Sequence, residues 1–121
     1  MLTITLPFPA PELFPNRVRG HWAKISGTKA KAVADAFAVT HQAVHNYRGE
    51  ALTGDIPLTL TFCPPDKRHR DLDGCLSACK QMLDGVALAL KVNDKRFSPI
   101  TILRGGTTRP PCVVVQIGGK E

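Results

Sequence analysis

Aromatic side chains are scarce in this 121-residue chain, at 6% of its residues, with one Trp and one Tyr. A core built from it must be mostly Leu, Val, Ile and Ala, although the 43% hydrophobic content is ordinary for a globular domain. No apolar run approaches the roughly 18–20 residues that a membrane-spanning helix needs, so no membrane association is expected. The opening MLTITLPFPAP has neither a basic region nor a long apolar stretch, so no secretory leader is read and a cytoplasmic protein is expected. The four cysteines, Cys63, Cys75, Cys79 and Cys112, form no CxxC pair. Cys75 and Cys79 would share a helix face, but zinc needs two further ligands, and the nearest histidine, His69, falls in a charged loop. Reduced core thiols are the plainer reading. A zinc-bound structural or interaction module is the rival. No repeat, low-complexity tract or interdomain linker is present, so residues 1–121 read as one domain with one modest core.

Acidic residues are also few, 10 against 16 Lys and Arg, which gives a net charge of +6. A basic balance favours polyanionic partners, chiefly nucleic acid. The distribution says more than the total. Between Glu12 and Asp35 stand Arg17, Arg19, Lys24, Lys29 and Lys31 with no acid among them. Five of the ten acids, Asp66, Asp71, Asp73, Asp84 and Asp94, instead share a segment with Lys67, Arg68 and Arg70. Carboxylates concentrated inside a basic segment call for an explanation.

Hydrophobic periodicity supplies the framework. Leu2–Leu6 alternates like a half-buried strand, and prolines 7, 9, 11 and 15 end it. From about Trp22 to Tyr47 an Ala-rich pattern predicts a long amphipathic helix, with Ala30, Val33, Ala34, Phe37, Ala38 and Val44 near one face. Ser26-Gly27 offers a weak start within it. Pro57–Phe62 alternates again and is stopped by Cys63-Pro64-Pro65-Asp66. Gly74 to about Leu90 predicts a second helix with the stripe Leu76, Cys79, Leu83, Val86 and Leu90. Asn93-Asp94 marks a turn. Residues 98–103 and 112–117 read as two further strands joined by a Gly-, Thr- and Pro-rich turn. The expected class is α+β, in β-α-β-α-β-β order, with a small mixed sheet packed against two helices.

Asp71 and Asp73 are two residues apart, so in an extended segment both side chains leave the same face. Their repulsion needs an offset, either from the nearby arginines or from a divalent cation, for which oxygen-only ligands suit magnesium or manganese. The plain alternatives are a helix cap for Asp73 and a salt bridge from Asp71 to Arg68 or Arg70. Lys80 follows Asp73 by nearly two helical turns and would reach back toward the carboxylates; otherwise it makes an ordinary pair with Asp84. Asp94 reads as a turn carboxylate unless the following strand carries it to the other two.

The string PPDKRHRDLDG, the lysine on the next helix, LDG and then VNDKRF resemble the RusA-type Holliday junction resolvases of bacteria and their phages. The opening LPFPAPELFPNRVRGHWAK is similar to that family's N-terminal segment. The match runs over about residues 2–117 and is densest over 64–97. It implies a small homodimeric α+β endodeoxyribonuclease that resolves four-way DNA junctions by paired symmetric cuts, in recombination and repair, within a bacterial or phage-infected cell. It further implies Mg2+, with Mn2+ as substitute, held by Asp71, Asp73 and Asp94. Lys80 matches the family's catalytic-region lysine and Arg70 its motif arginine. Arg17, Arg19, Lys24, Lys67, Arg68 and Arg70 are the candidates for DNA-backbone contacts. The chain departs from the pattern in three places, one of them an Asp73-to-Lys80 spacing longer than in the family's best-known member. Gly74 stands where the family often has Asn, and Asn93 replaces one member of a frequent acidic pair. The spacing from Asp73 to Lys80 is that of phage-type relatives. A non-catalytic junction-binding protein that keeps the fold is the alternative.

Overall fold

The computed structural model describes residues 1–15, 22–49 and 51–118, and the backbone alone of residues 22–24. Four strands, β1 (Leu2–Pro7), β2 (Ile56–Cys63), β3 (Phe97–Arg104) and β4 (Cys112–Ile117), form one mixed sheet in the order β1-β4-β2-β3. Strand β4 is antiparallel to both β1 and β2, whereas β2 and β3 are parallel. The strand alternation read in the sequence has a direct structural meaning. Leu2, Ile4 and Leu6 of β1 share one buried face with Leu58, Leu60 and Phe62 of β2 and with Val113, Val115 and Ile117 of β4. The expected α+β class and small mixed sheet are what the chain adopts.

The helices are α1 (Trp22–His45), α2 (Leu72–Ala78) and α3 (Lys80–Leu90). The second expected helix is therefore two. Cys79, at φ −92° and ψ 4°, interrupts it, and its N–H is shared between the carbonyls of Leu76 and Ser77. The buried stripe is also displaced. Cys75, Cys79, Met82 and Val86 lie in the core, while Leu76, Leu83 and Leu90 pack at its margin.

Helix α1 runs through Ser26-Gly27 without a break, but it turns a different face inward from the expected one. Ala36 and Thr40 are buried, with Ala32, Val39, Ala43 and Tyr47 packed beside the core. Ala30, Ala34, Phe37, Ala38 and Val44 face outward. The reason lies in α3. A Cβ on Gly85 would strike the Val33 carbonyl and come within 2.9 Å of the Ala36 Cβ and 3.0 Å of the Phe37 nitrogen. The two helices approach closely at this point, and close approach selects small side chains over large ones.

Strands β1, β2 and β3 all point the same way, so their C-terminal ends meet at one rim, with Pro7, Cys112 and Cys63 in register. Three connections leave that rim: residues 8–15, 64–71 and 105–111. The acids and arginines of the 66–73 segment stand there. Among the described residues no helix is long and apolar enough to cross a membrane.

Candidate functional site

Pro64-Pro65 ends β2, and Asp66 folds the loop that follows. Its Oδ1 accepts the Arg68 N–H at 2.9 Å and an Arg70 Nη1 hydrogen at 3.0 Å. Arg70 also donates to the Arg68 carbonyl at 3.0 Å, and its guanidinium lies 5.7 Å from the centre of the Phe8 ring. The Arg70 side chain is 21% exposed and that of Arg68 80%. Arg70 clasps the loop, whereas the Arg68 side chain faces solvent. The hydrogen bonds from Arg70 and from the Arg68 N–H hold the Asp66 carboxyl below the usual carboxylate range. The Arg70 side chain is thus committed to Asp66, and the Arg68 guanidinium stands 3.8 Å from it. Asp71 pairs with neither, and its Oδ1 lies 3.2 Å from His69 Nε2 instead.

The cap expected of Asp73 belongs in position to Asp71. Asp71 has extended backbone (φ −74°, ψ 136°), its carbonyl accepts the Cys75 N–H, and its side chain caps nothing. Asp73 sits in the first turn of α2, where its Oδ1 accepts the Gly74 N–H at 2.9 Å. The two carboxylates do not follow the alternation of an extended strand, yet they line one pocket of about 400 Å3 with Phe14, His69, Arg70 and Ser77. Acids in the first turn are favoured by the partial positive charge of a helix N-terminus, which offsets part of their repulsion.

Lys80 does not reach back to this pocket. Its Nζ donates forward to Asp84 Oδ1 at 2.9 Å and lies 3.5 Å from Asp94 Oδ2. The bond to Asp84, with a smaller contribution from Asp94, raises the Lys80 pKa above its ordinary value. Phe97 pairs with Ile56, so Asp94, in the turn before β3, stands near the start of β2. Among the described residues, no group of three or more His, Cys, Asp or Glu is arranged to hold a metal ion. Asn93 has its own task, accepting the Lys95 N–H at 2.9 Å to cap the turn 94–96.

Magnesium takes oxygen ligands and is commonly bound by one or two carboxylates together with substrate phosphates. Asp71 and Asp73, exposed in one pocket, fit that chemistry; Asp94 lies outside that pocket, beside Lys80. Cys75 and Cys79 are buried in the core. Burial and the neighbouring Cys75 push the Cys79 thiol up to about 12.

Of the basic candidates, Lys67, Arg68 and Arg70 share a cleft of about 380 Å3 with Arg104. Arg17 and Arg19 lie outside the described residues, as does the side chain of Lys24. Sequence reasoning left three contributors unassigned: Phe8, Phe14 and His69. His69 was legible by adjacency to Asp71. The two phenylalanines carried no signal beyond their place in a proline-rich segment.

No family model matches the chain. It is 30% identical over 119 residues to an uncharacterized protein of Xylella fastidiosa (strain Temecula1 / ATCC 700964), a match that covers 98% of this chain and 77% of that protein. The chain belongs to the same family as that protein.

Proposed function

We propose that this relative of the Xylella protein is a magnesium-dependent, structure-specific endodeoxyribonuclease. It would resolve four-way DNA junctions by paired symmetric cuts, in the manner of the RusA-type resolvases that its motifs resemble. The observation that carries the reading is the pocket shared by Asp71 and Asp73 at the end of a loop bearing Lys67, Arg68 and Arg70. Cations on that loop draw the DNA backbone to two carboxylates that no arginine has neutralised.

Asp71 and Asp73 would hold Mg2+, or Mn2+ in its place. A divalent cation there would supply Lewis acidity toward a phosphate and lower the pKa of a bound water. The chain's own residues do the rest. Lys67 and Arg68 bind phosphates and position the duplex without reading its sequence. Arg70 keeps the loop in shape through Asp66. Lys80, with its raised pKa, is a cation at neutral pH and no proton acceptor; Asp84 and Asp94 engage it away from the acid pair. Symmetric cuts across a junction with approximate two-fold symmetry call for two related sites, and hence for a homodimer.

The test is cleavage of a synthetic four-way junction with and without magnesium. Asp71→Asn and Asp73→Asn are each expected to slow cutting by about 100-fold or more while junction binding survives. Wild-type-like cutting by both variants would sink the assignment. One observation favours a second reading, a junction-binding protein without catalysis: Asp94 is held by Lys80, away from the acid pair. That reading predicts tight junction binding and no cutting by the wild type in either metal.

A further inference from the structure

We infer that the surface beside the acidic pocket seats one unpaired nucleotide, its base stacked on the Phe8–Phe14 wall and its phosphate held by Arg68. The inference rests on the nuclease reading and names what the same site holds next to the phosphate being cut.

The two rings come from the segment that leaves β1. They lie near-parallel, at 26°, with centroids 6.2 Å apart. Phe62 packs edge-on against Phe8 from the core and fixes that ring in place. Pro11, Pro65 and Pro111 line the sides, and the open groove measures about 490 Å3, within the range of small-molecule sites. Proline side chains have little freedom to lose, so the wall is ready before anything binds.

In a chain this poor in aromatics, two adjacent, partly buried phenylalanines at the margin of the core stand out. What borders them is equally telling. Arg68 and Arg70 line the same cavity. Arg70 is bound to Asp66 and covers Phe8, so it belongs to the wall. The Arg68 guanidinium is 80% exposed, and its ion pair with Asp66 is long, at 3.8 Å. The occupant must therefore present a flat apolar body and an anionic attachment. A nucleotide has both, and stacking on an aromatic face tolerates any base. A wholly apolar peptide matches the rings and leaves the cation unmet.

Position supplies the link to the reaction. Phe14 and Arg70 line both this cavity and the pocket of Asp71 and Asp73. A base seated here lies beside the phosphate presented to those acids. At the exchange point of a junction, bases are unstacked at low cost, so the seat would favour branched over continuous duplex.

The test uses 2-aminopurine placed at the exchange point of a four-way junction and, separately, in a single-stranded oligonucleotide. The full chain is titrated into each with EDTA present, so that nothing is cut. Stacking should quench the probe in both. Phe14→Leu should weaken single-strand binding roughly 5-fold or more and reduce the quench at saturation. Phe14→Trp should restore both. Arg68→Gln should weaken binding while leaving the quench at saturation in place. Thermal melting verifies that each variant is folded; should Phe14→Leu not fold, the Trp and Arg68→Gln variants decide.

Quenching by Phe14→Leu equal to that of the wild type overturns the inference, as does failure of Phe14→Trp to quench. A protein that cuts junctions with a quench indifferent to Phe14 loses the nucleotide seat and keeps the nuclease. One that quenches the single strand through Phe14 but cuts no junction keeps the seat and loses the nuclease.

Discussion

Two charged clusters stand on either side of the helix break at Cys79, and they handle their carboxylates in opposite ways. In the 66–73 loop, Asp66 takes the guanidinium of Arg70 and the N–H of Arg68, leaving Asp71 and Asp73 open to solvent beside His69. On α3 and the turn after it, one lysine holds both Asp84 and Asp94. The same residue types thus give an available acid pair in one place and a neutralised one in the other. Count and spacing of acids do not make a reaction centre. What matters is which acids remain after the local cations have chosen partners.

Substitutions at the acid pair test this contrast with the largest expected effect. Asp71→Asn and Asp73→Asn should remove about 100-fold or more of junction cleavage and little of junction binding, read by gel shift beside the cleavage assay. Asp94→Asn should cost less than either, because Asp94 acts on Lys80 and not on the pocket. A loss for Asp94→Asn as large as for Asp71→Asn would break the comparison and join Asp94 to the acid pair.

Lys80→Met should leave the fold nearly untouched. The Lys80 side chain is 61% exposed, and exposed pairs contribute only about 0–1 kcal/mol after solvent screening. The melting temperature checks that. The contribution has a sign in pH: a raised pKa means it is present below the unfolded value and fades as pH rises through the folded one. Alkaline titration should therefore loosen this cluster and spare the 66–73 loop.

Acid should do the reverse. Asp66 has a depressed pKa, so its contribution is present above the unfolded value and lost as pH falls through the folded one. Hydrogen exchange at the Arg68 amide should then quicken, and Asp66→Asn should quicken it at neutral pH. The smallest effect is expected at Gly74. A Cβ there meets nothing within 4 Å, so Gly74→Asn should change neither melting nor binding beyond about 0.5 kcal/mol.

Much of the fold was legible because alternation and proline are local signals. Leu2–Leu6 and Pro57–Phe62 were readable as strands, and Pro64-Pro65 as an end. The inward face of α1 was not, since alanines recur all round it, and the choice among faces was made by Gly85 on another helix. The break at Cys79 left no mark in composition. Asp71-Leu72-Asp73 was legible as two neighbouring carboxylates, though alone it suited a cap and a salt bridge nearly as well as a metal site, and the cap was placed two residues late. The partner of Asp94 was not, because parallel pairing of β2 and β3 set it. Nor was the Phe8–Phe14 wall, which forms only when residues 8–14, 64–70 and 111 meet at the rim.

The most direct test of the central claim is a crystal structure of the protein soaked in manganese, with the metal located by its anomalous signal. The account predicts a peak bound by Asp71 and Asp73, with Lys80 still on Asp84 and Asp94. A peak on Asp84 and Asp94, or none at the acid pair, would contradict it.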